Sequence, residues 1–303
     1  MKVAGNVPAS VRQRLLDRAR RDNRPLNELL QYYAMERFLY SLSLSTCADR
    51  FILKGALMLR AWCSPEMRPT MDIDMLGRTS NEEAGIVGQM REIMAVEVEP
   101  DGLVFAPESI RTERITEDAD YEGIRIRFLG RLDSAKVSMQ IDNGFGDIVY
   151  PGPEESDLPV ILDFPPPRLL CYSRESAIAE KFEAMVKLGA LNSRMKDFYD
   201  IWLLSRQFDF DGAKLARAIE LTFDRRGTVV PIKVEAFADN FISAKQIQWS
   251  AFCKRLRQSH IPASFRDLVA GVEVFLGPVI SAIVGNAGNP GRWPPAGPWK
   301  QER

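Results

Sequence analysis

The sequence predicts an α+β fold, with strands and helices mixed in the first half and helices alone in the second. Three observations predict it. At 124–128 and again at 137–141 apolar residues recur at every second position, the period of a half-buried strand. From 150 to 167 prolines cluster in a loop-like passage that reads as a domain junction. Beyond it apolar residues recur three and four apart, the period of an amphipathic helix. The expected domains are 1–165, with the sheet and N-terminal helices, and 166–284, all helical, with a Gly/Pro-rich tail over 285–303.

Composition bounds the function. The chain has 303 residues, of which 46% are hydrophobic and 27% charged, ordinary for a soluble globular protein. The formal net charge of −1 gives no global attraction to nucleic acid, so any such contact must be local. No apolar run approaches the ~20 residues of a membrane span. The N-terminus lacks the apolar core of a signal peptide, so a cytoplasmic location without membrane contact is expected. Cys47, Cys63, Cys171 and Cys253 are scattered and read as reduced, mostly buried thiols. His260 is the one histidine and reads as a surface or loop residue, which leaves little for histidine-based catalysis. No phosphate-loop or dinucleotide fingerprint is present. The remaining carboxylates, lysines and arginines suit metal-assisted phosphoryl or nucleotidyl transfer better than acyl transfer.

In chain order, residues 8–22 give a helix with Val11, Leu15, Leu16 and Ala19 on one stripe. Arg12, Arg14, Arg18, Arg20 and Arg21 lie on its other faces, either simply solvated or set against RNA phosphates or a protein partner. Pro25 and Asn27 open a second helix over 29–42. Phe51 to Lys54 is a short strand, Leu57 to Trp62 a helix, and 71–76 a second strand. Residues 81–96 form a helix with Ile86, Met90, Ile93 and Met94 inward. Strands follow at 103–105, 110–115, 124–129 and 136–142, and another at 160–164. The helical half has elements at 174–188, 193–204, 211–223, 234–241, 244–256 and 263–283. Trp249 and Phe252 read as core rather than as base-stacking platforms. The tail either stays disordered or lies along the body or a partner.

The chemistry concentrates in residues 51–76. Successive strand side chains point to opposite faces, so Asp72 and Asp74 face the same way, about 7 Å apart, while Ile73 and Met75 face a core. Two neighbouring carboxylates resist ionising together unless a cation lies between them, and hard oxygen ligands suit Mg²⁺. Upstream, Lys54-Gly55-Ala56 turns a strand into a helix, whose unpaired N–H groups can hold a phosphate. Asp142 ends the strand with Val137, Met139 and Ile141 on one face and Lys136, Ser138 and Gln140 beside Asp142 on the other.

Gly55-Ala56, a helical spacer and Asp72-Ile73-Asp74 together resemble the signature of the polymerase-β-like nucleotidyltransferase fold. The wider text is similar to one branch, the AbiEii/AbiGii toxins of bacterial toxin–antitoxin and phage-abortive systems. Four stretches carry the likeness over residues 30 to 205: Arg68-x-Thr70-x-Asp72-x-Asp74; Ile141-Asp142-x-Gly144-Phe145-Gly146-Asp147; Ala179-Glu180-Lys181; and Arg194-x-Lys196-Asp197-x-x-Asp200. The resemblance implies a mixed sheet with flanking helices and a helical domain closing a nucleotide cleft. It implies two Mg²⁺ ions held by Asp72, Asp74 and, as third carboxylate, Asp142. Lys181 would bind the triphosphate, Asp200 support catalysis, and Lys196 and Asp197 share that wall. Arg68 would pair with a strand carboxylate or a phosphate. Ala56 departs from the family's usual Gly or Ser, so a hydroxyl contact is missing. Asp147 reads as a turn or structural residue.

The expected function is therefore an NTP-dependent, pyrophosphate-releasing nucleotidyltransferase, acting as a toxin on RNA, the tRNA 3′ end foremost, and restrained by a cognate antitoxin. Alternatives are a small-molecule or protein-hydroxyl acceptor, a non-catalytic binding protein on this fold, and a metal-dependent nuclease. The NTP's base and the oligomeric state are not legible.

Overall fold

The computed structural model describes residues 6–64, 69–116, 122–285 and 287–301, so Arg68 lies outside the described residues. The chain divides into two compact units, Met1–Gly146 with Glu154–Cys171, and Asp147–Pro153 with Tyr172–Arg303.

The first unit begins with α1 (Val7–Arg21) and α2 (Leu26–Leu44), followed by β1 (Phe51–Lys54). A 3₁₀ turn (Gly55–Leu57) and the single-turn α3 (Met58–Ala61) come next, then β2 (Ile73–Gly77) and α4 (Glu83–Met94). β3 (Leu103–Thr116), β4 (Glu122–Leu132) and β5 (Ala135–Phe145) form a long meander, and β6 (Glu154–Asp157) and β7 (Arg168–Cys171) complete the unit. The seven strands make one mixed sheet in the order β3-β4-β5-β2-β1-β7-β6. β1 pairs antiparallel with β2 and parallel with β7, and β2 pairs parallel with β5.

Alternation explains the sheet's two faces. Ile124, Ile126 and Phe128 of β4 and Val137, Met139 and Ile141 of β5 are buried, while the intervening polar residues are not. Phe38 of α2 packs on this covered face, its ring 5.3 Å from Phe128 and 5.7 Å from Phe105. α2 is buried on nearly every side, charges included. Such charges are tolerated only when paired. Arg37 donates to Asp101 at 2.7 Å, and Glu36 meets Arg60 at 2.8 Å. Gln31 of α2 donates to the carbonyls of Met71 and Ser138 at 3.0 and 3.1 Å, tying the approach to β2 onto β5.

The second unit holds α5 (Arg174–Leu188), α6 (Met195–Gln207), β8 (Phe210–Asp211), α7 (Gly212–Arg225), α8 (Asp239–Leu256), α9 (Phe265–Ile283) and β9 (Arg292–Trp293). Side-chain oxygens of Ser173, Asp211 and Ser264 cap α5, α7 and α9. Trp249 and Phe252 are core residues, with the Trp249 ring 5.6 Å from Phe265. The tail lies along this unit. β9 pairs with β8, and Trp293 is buried with its ring 4.9 Å from Phe275. Among the described residues no helix is long and apolar enough to cross a membrane.

Several expectations need correction. Residues 160–164 form bends, not a strand; the backbone N–H of Ile161 instead donates to the buried Glu36. The helix expected over 57–62 is a 3₁₀ turn followed by four α-helical residues. The helix expected over 234–241 is a 3₁₀ turn at Glu235–Phe237, and α8 then runs unbroken from Asp239. Of the cysteines, Cys47 and Cys171 are buried, Cys253 is intermediate and Cys63 is exposed. His260 sits in a turn, with its ring stacked on Trp202 at 6.3 Å and Nε2 3.3 Å from the Tyr199 hydroxyl.

Candidate active site

Strand register assembles a row of charge on the face of the sheet opposite the covered one. Lys54 of β1 is the register partner of Asp74 of β2, Asp74 of Asp142 of β5, Asp142 of Arg125 of β4, and Arg125 of Glu113 of β3. Register partners point to the same side, so the row reads plus, minus, minus, plus, minus across five strands. The two central acids lie on neighbouring strands, about 4.8 Å apart in backbone spacing.

Each member is held. Gly55 adopts φ +73, which glycine tolerates and other residues resist. A Cβ there would fall 1.9 Å from Oδ2 of Asp74. The Asp74 carboxylate therefore occupies the space that a side chain at position 55 would take. Asp72 lies one residue ahead of β2 rather than within it, as strand pairing begins at Ile73. Its backbone N–H donates to the Thr70 hydroxyl at 3.4 Å, and that hydroxyl donates to the Asp72 carbonyl at 3.3 Å. The Thr70 N–H donates to the Tyr32 hydroxyl of α2 at 3.1 Å. Threonine in the Arg-x-Thr-x-Asp text thus shapes the turn that presents Asp72.

Arg125 was not singled out in the sequence. Its guanidinium grips both oxygens of Asp142, at 2.8 Å each, with side chains 29% and 18% exposed. Its pKa is raised by the hydrogen-bonded Asp142 carboxylate against the opposing effect of burial, with further contributions from the charges of Asp142, Glu113 and Asp72. The Asp72 charge therefore reaches this guanidinium. The signal that could have found Arg125 is Ile124-Arg125-Ile126-Arg127, where alternation puts arginines on the polar face. Placing them opposite Asp142 required the β4–β5 register.

This pairing bears on metal binding. Asp72 and Asp74 are half-buried oxygen donors, which fits a hard divalent cation. Arg125 takes one lone pair on each Asp142 oxygen and leaves one on each, so Asp142 keeps donor capacity for a cation while its charge is partly answered. Among the described residues no three histidine, cysteine or acidic side chains are gathered as a metal site. Ala56 is buried at 5% exposure inside the Gly55–Leu57 turn, and the four-residue α3 that follows is too short for more than a weak helix dipole.

The remaining expected residues lie in the helical unit. Lys181 of α5 reaches Asp200 of α6 at 2.7 Å and Asp197 at 3.3 Å, with the two acids only 4% and 7% exposed. Lys196 is exposed. Consecutive helix residues point about 100° apart, so Lys196 does not share the wall of Asp197. A second cluster centres on Arg226, which bonds Asp147 and Glu183 at 3.0 Å each and approaches Glu180 at 3.4 Å. Burial opposes the charge of Arg226, but the carboxylates of Glu180, Asp147 and Glu183 prevail and raise its pKa. Asp147 is thus a buried ion-pair partner.

Two solved structures resemble the chain. One is a candidate nucleotidyltransferase from H. pylori, 11% identical, with TM-score 0.46, the match covering 84% of this chain and 96% of that one. The other is JHP933 from Helicobacter pylori, also 11% identical, with TM-score 0.48 and coverage of 84% and 93%. No curated protein matches the sequence. A family model describing the nucleotidyl transferase AbiEii toxin of type IV toxin–antitoxin systems matches residues 37–271. That span takes in β1, the Gly55 turn, the carboxylate row and the Lys181 cluster alike: the chain belongs to the AbiEii nucleotidyl transferase toxin family.

Proposed function

We propose that this nucleotidyltransferase moves a nucleoside monophosphate from a nucleoside triphosphate to an RNA hydroxyl, the tRNA 3′ end being the expected acceptor, and releases pyrophosphate. The observation that carries the reading is the Asp74 carboxylate seated against Gly55, in register with Asp142 and preceded by Asp72. Family membership supplies the reaction class.

Asp72 and Asp74 would hold Mg²⁺, with Asp142, oriented by Arg125, as the third carboxylate beside them. When bound, Mg²⁺ supplies neutralisation of phosphate charge. The chain's own groups do the rest. Gly55, with no side chain, leaves room for the Asp74 carboxylate, and the backbone N–H groups of the turn that follows are what a phosphate would meet. Lys54, immediately before that turn, adds positive charge to it. In the helical unit, the family resemblance gives Lys181 a role toward the triphosphate, with Asp200 and Asp197 as positioning residues that hold its ammonium. Lys196 has the exposure to meet a triphosphate or an acceptor phosphate. The biological role that fits is a toxin whose RNA modification is countered by an antitoxin.

The test is incubation of the purified protein with each labelled NTP, Mg²⁺ and total RNA. Label entering RNA with equimolar pyrophosphate is the expected result. RNA shortening without pyrophosphate would instead mean a nuclease, and label on protein or small molecules would move the acceptor.

A further inference from the structure

The polar face that carries the carboxylate row continues along β4 and β5, away from the acids. We infer that this open face is the track for the acceptor strand, a single-stranded RNA whose phosphates lie over Arg127, Arg131 and Lys136. The inference rests on the proposed RNA acceptor and names the surface that would take it.

Cross-strand charge is the first support. Arg131 of β4 is directly opposite Lys136 of β5, and Arg111 of β3 is directly opposite Arg127 of β4. Like charges directly opposite each other destabilise a sheet. A face built only for solubility would put acids there. Partnering is the second support. Arg127 is steadied by Glu113 at 3.0 Å and Gln140 at 3.2 Å, and Arg111 donates to the carbonyls of Glu108 and Ile110. Arg131 and Lys136 are exposed and have no hydrogen-bond or ion-pair partner among the described residues. Both point to the same side as Asp142, because the alternation of β4 and β5 is unbroken. The third support is continuity. From Asp142 to Lys136 is six residues, about 20 Å of flat sheet, roughly the length of six stacked nucleotides. A strand lying there would lead one end to the acids.

The arginines of α1 make a weaker track. Arg18 and Arg21 both bond Asp22, and Arg14 bonds Asp163, so much of that charge is already answered.

The experiment measures binding of a short single-stranded RNA to the full chain without NTP or Mg²⁺, as a function of salt. Replacing Arg131→Ser and Lys136→Ser together should lower affinity about tenfold or more near 50 mM salt and flatten the log–log salt slope by about 1.4. Lys136→Glu, which faces Arg131, should lower RNA affinity while leaving Tm unchanged or higher, since repulsion becomes attraction. A fall in Tm alongside would mean a structural role and overturn the inference. So would equal loss from Arg20→Ser and Arg21→Ser on α1, the same change of net charge, which would mean that only net charge matters. Unchanged RNA affinity with lost retention on phosphatidylserine vesicles would point to a lipid surface and also overturn it. Failure of wild-type protein to bind RNA would overturn it outright. Binding that follows these variants, with no label transferred to RNA, would keep this surface and sink the transfer reading instead.

Discussion

The acids of the sheet unit and those of the helical unit are placed on opposite principles. Asp74 and Asp142 stand in register on a sheet face, half-buried, with Asp72 just ahead of them. Asp147, Glu183, Asp197 and Asp200 are sunk between helices, their side chains 2–7% exposed and gripped by one arginine and one lysine. A carboxylate that a ligand must reach has to retain some solvation and some unspent charge. A carboxylate that holds two helices together must have its charge answered within the fold. The difference teaches that Asp72 and Asp74, half-buried beside the Gly55 turn, are arranged for an incoming cation, while Asp142 and the helical acids are set against cations the chain already has.

That contrast breaks most visibly at Asp74. Asp74→Asn should cut transfer at least about a thousandfold while Tm moves little, because the side chain lies on an open face. Gly55→Ala should do the same through the collision with Oδ2 of Asp74, with about 1–2 kcal/mol of added backbone strain at a positive φ. Rate and Tm measured on both variants check this.

In the helical unit the order of effects should reverse. Arg226→Met strands Asp147 and Glu183, which are 3% and 2% exposed, and should cost about 3–5 kcal/mol of stability. Chemical denaturation would measure it. Asp200→Asn should cost less, about 1–3 kcal/mol, because Lys181 keeps Asp197 and is itself 18% exposed. Asp142→Asn should cost about 1 kcal/mol or less, since Arg125 and Asp142 keep solvent access. If Asp142→Asn proved as destabilising as Arg226→Met, the two regions would not differ as described.

The smallest effect concerns the covered side of the sheet. Burial pushes the Cys171 thiol on β7 up to about 12, so it carries almost no thiolate at pH 8. An alkylating reagent at that pH should label the exposed Cys63 and spare Cys171 until the protein is unfolded.

Much of this was legible in the sequence, for reasons that vary with the element. Asp74 could be read because a local period of two puts it on the polar face of β2, whereas Asp72 lies just ahead of that strand, where the period does not apply. α5 was readable to its ends because Ser173 caps it and Gly189 stops it. Asp142 could be placed on its strand, but its pairing with Arg125 is a relation between strands 17 residues apart, which no local pattern encodes. β6 was missed because its residues, Glu154-Glu155-Ser156-Asp157, alternate in nothing and it lies at a sheet edge. Residues 160–164 read as a strand because all but Asp163 are apolar, yet no neighbouring strand pairs with them and prolines flank them. The arginines of α1 suggested a basic face, whereas Asp17 and Asp22 on the same helix answer several of them.

The most direct test of the central assignment is pyrophosphate release by wild-type protein and by Asp74→Asn, with Mg²⁺, NTP and RNA, on samples matched for folded fraction. The account predicts stoichiometric pyrophosphate from the wild type and none above background from the variant. A folded Asp74→Asn protein that released pyrophosphate at the wild-type rate would contradict it.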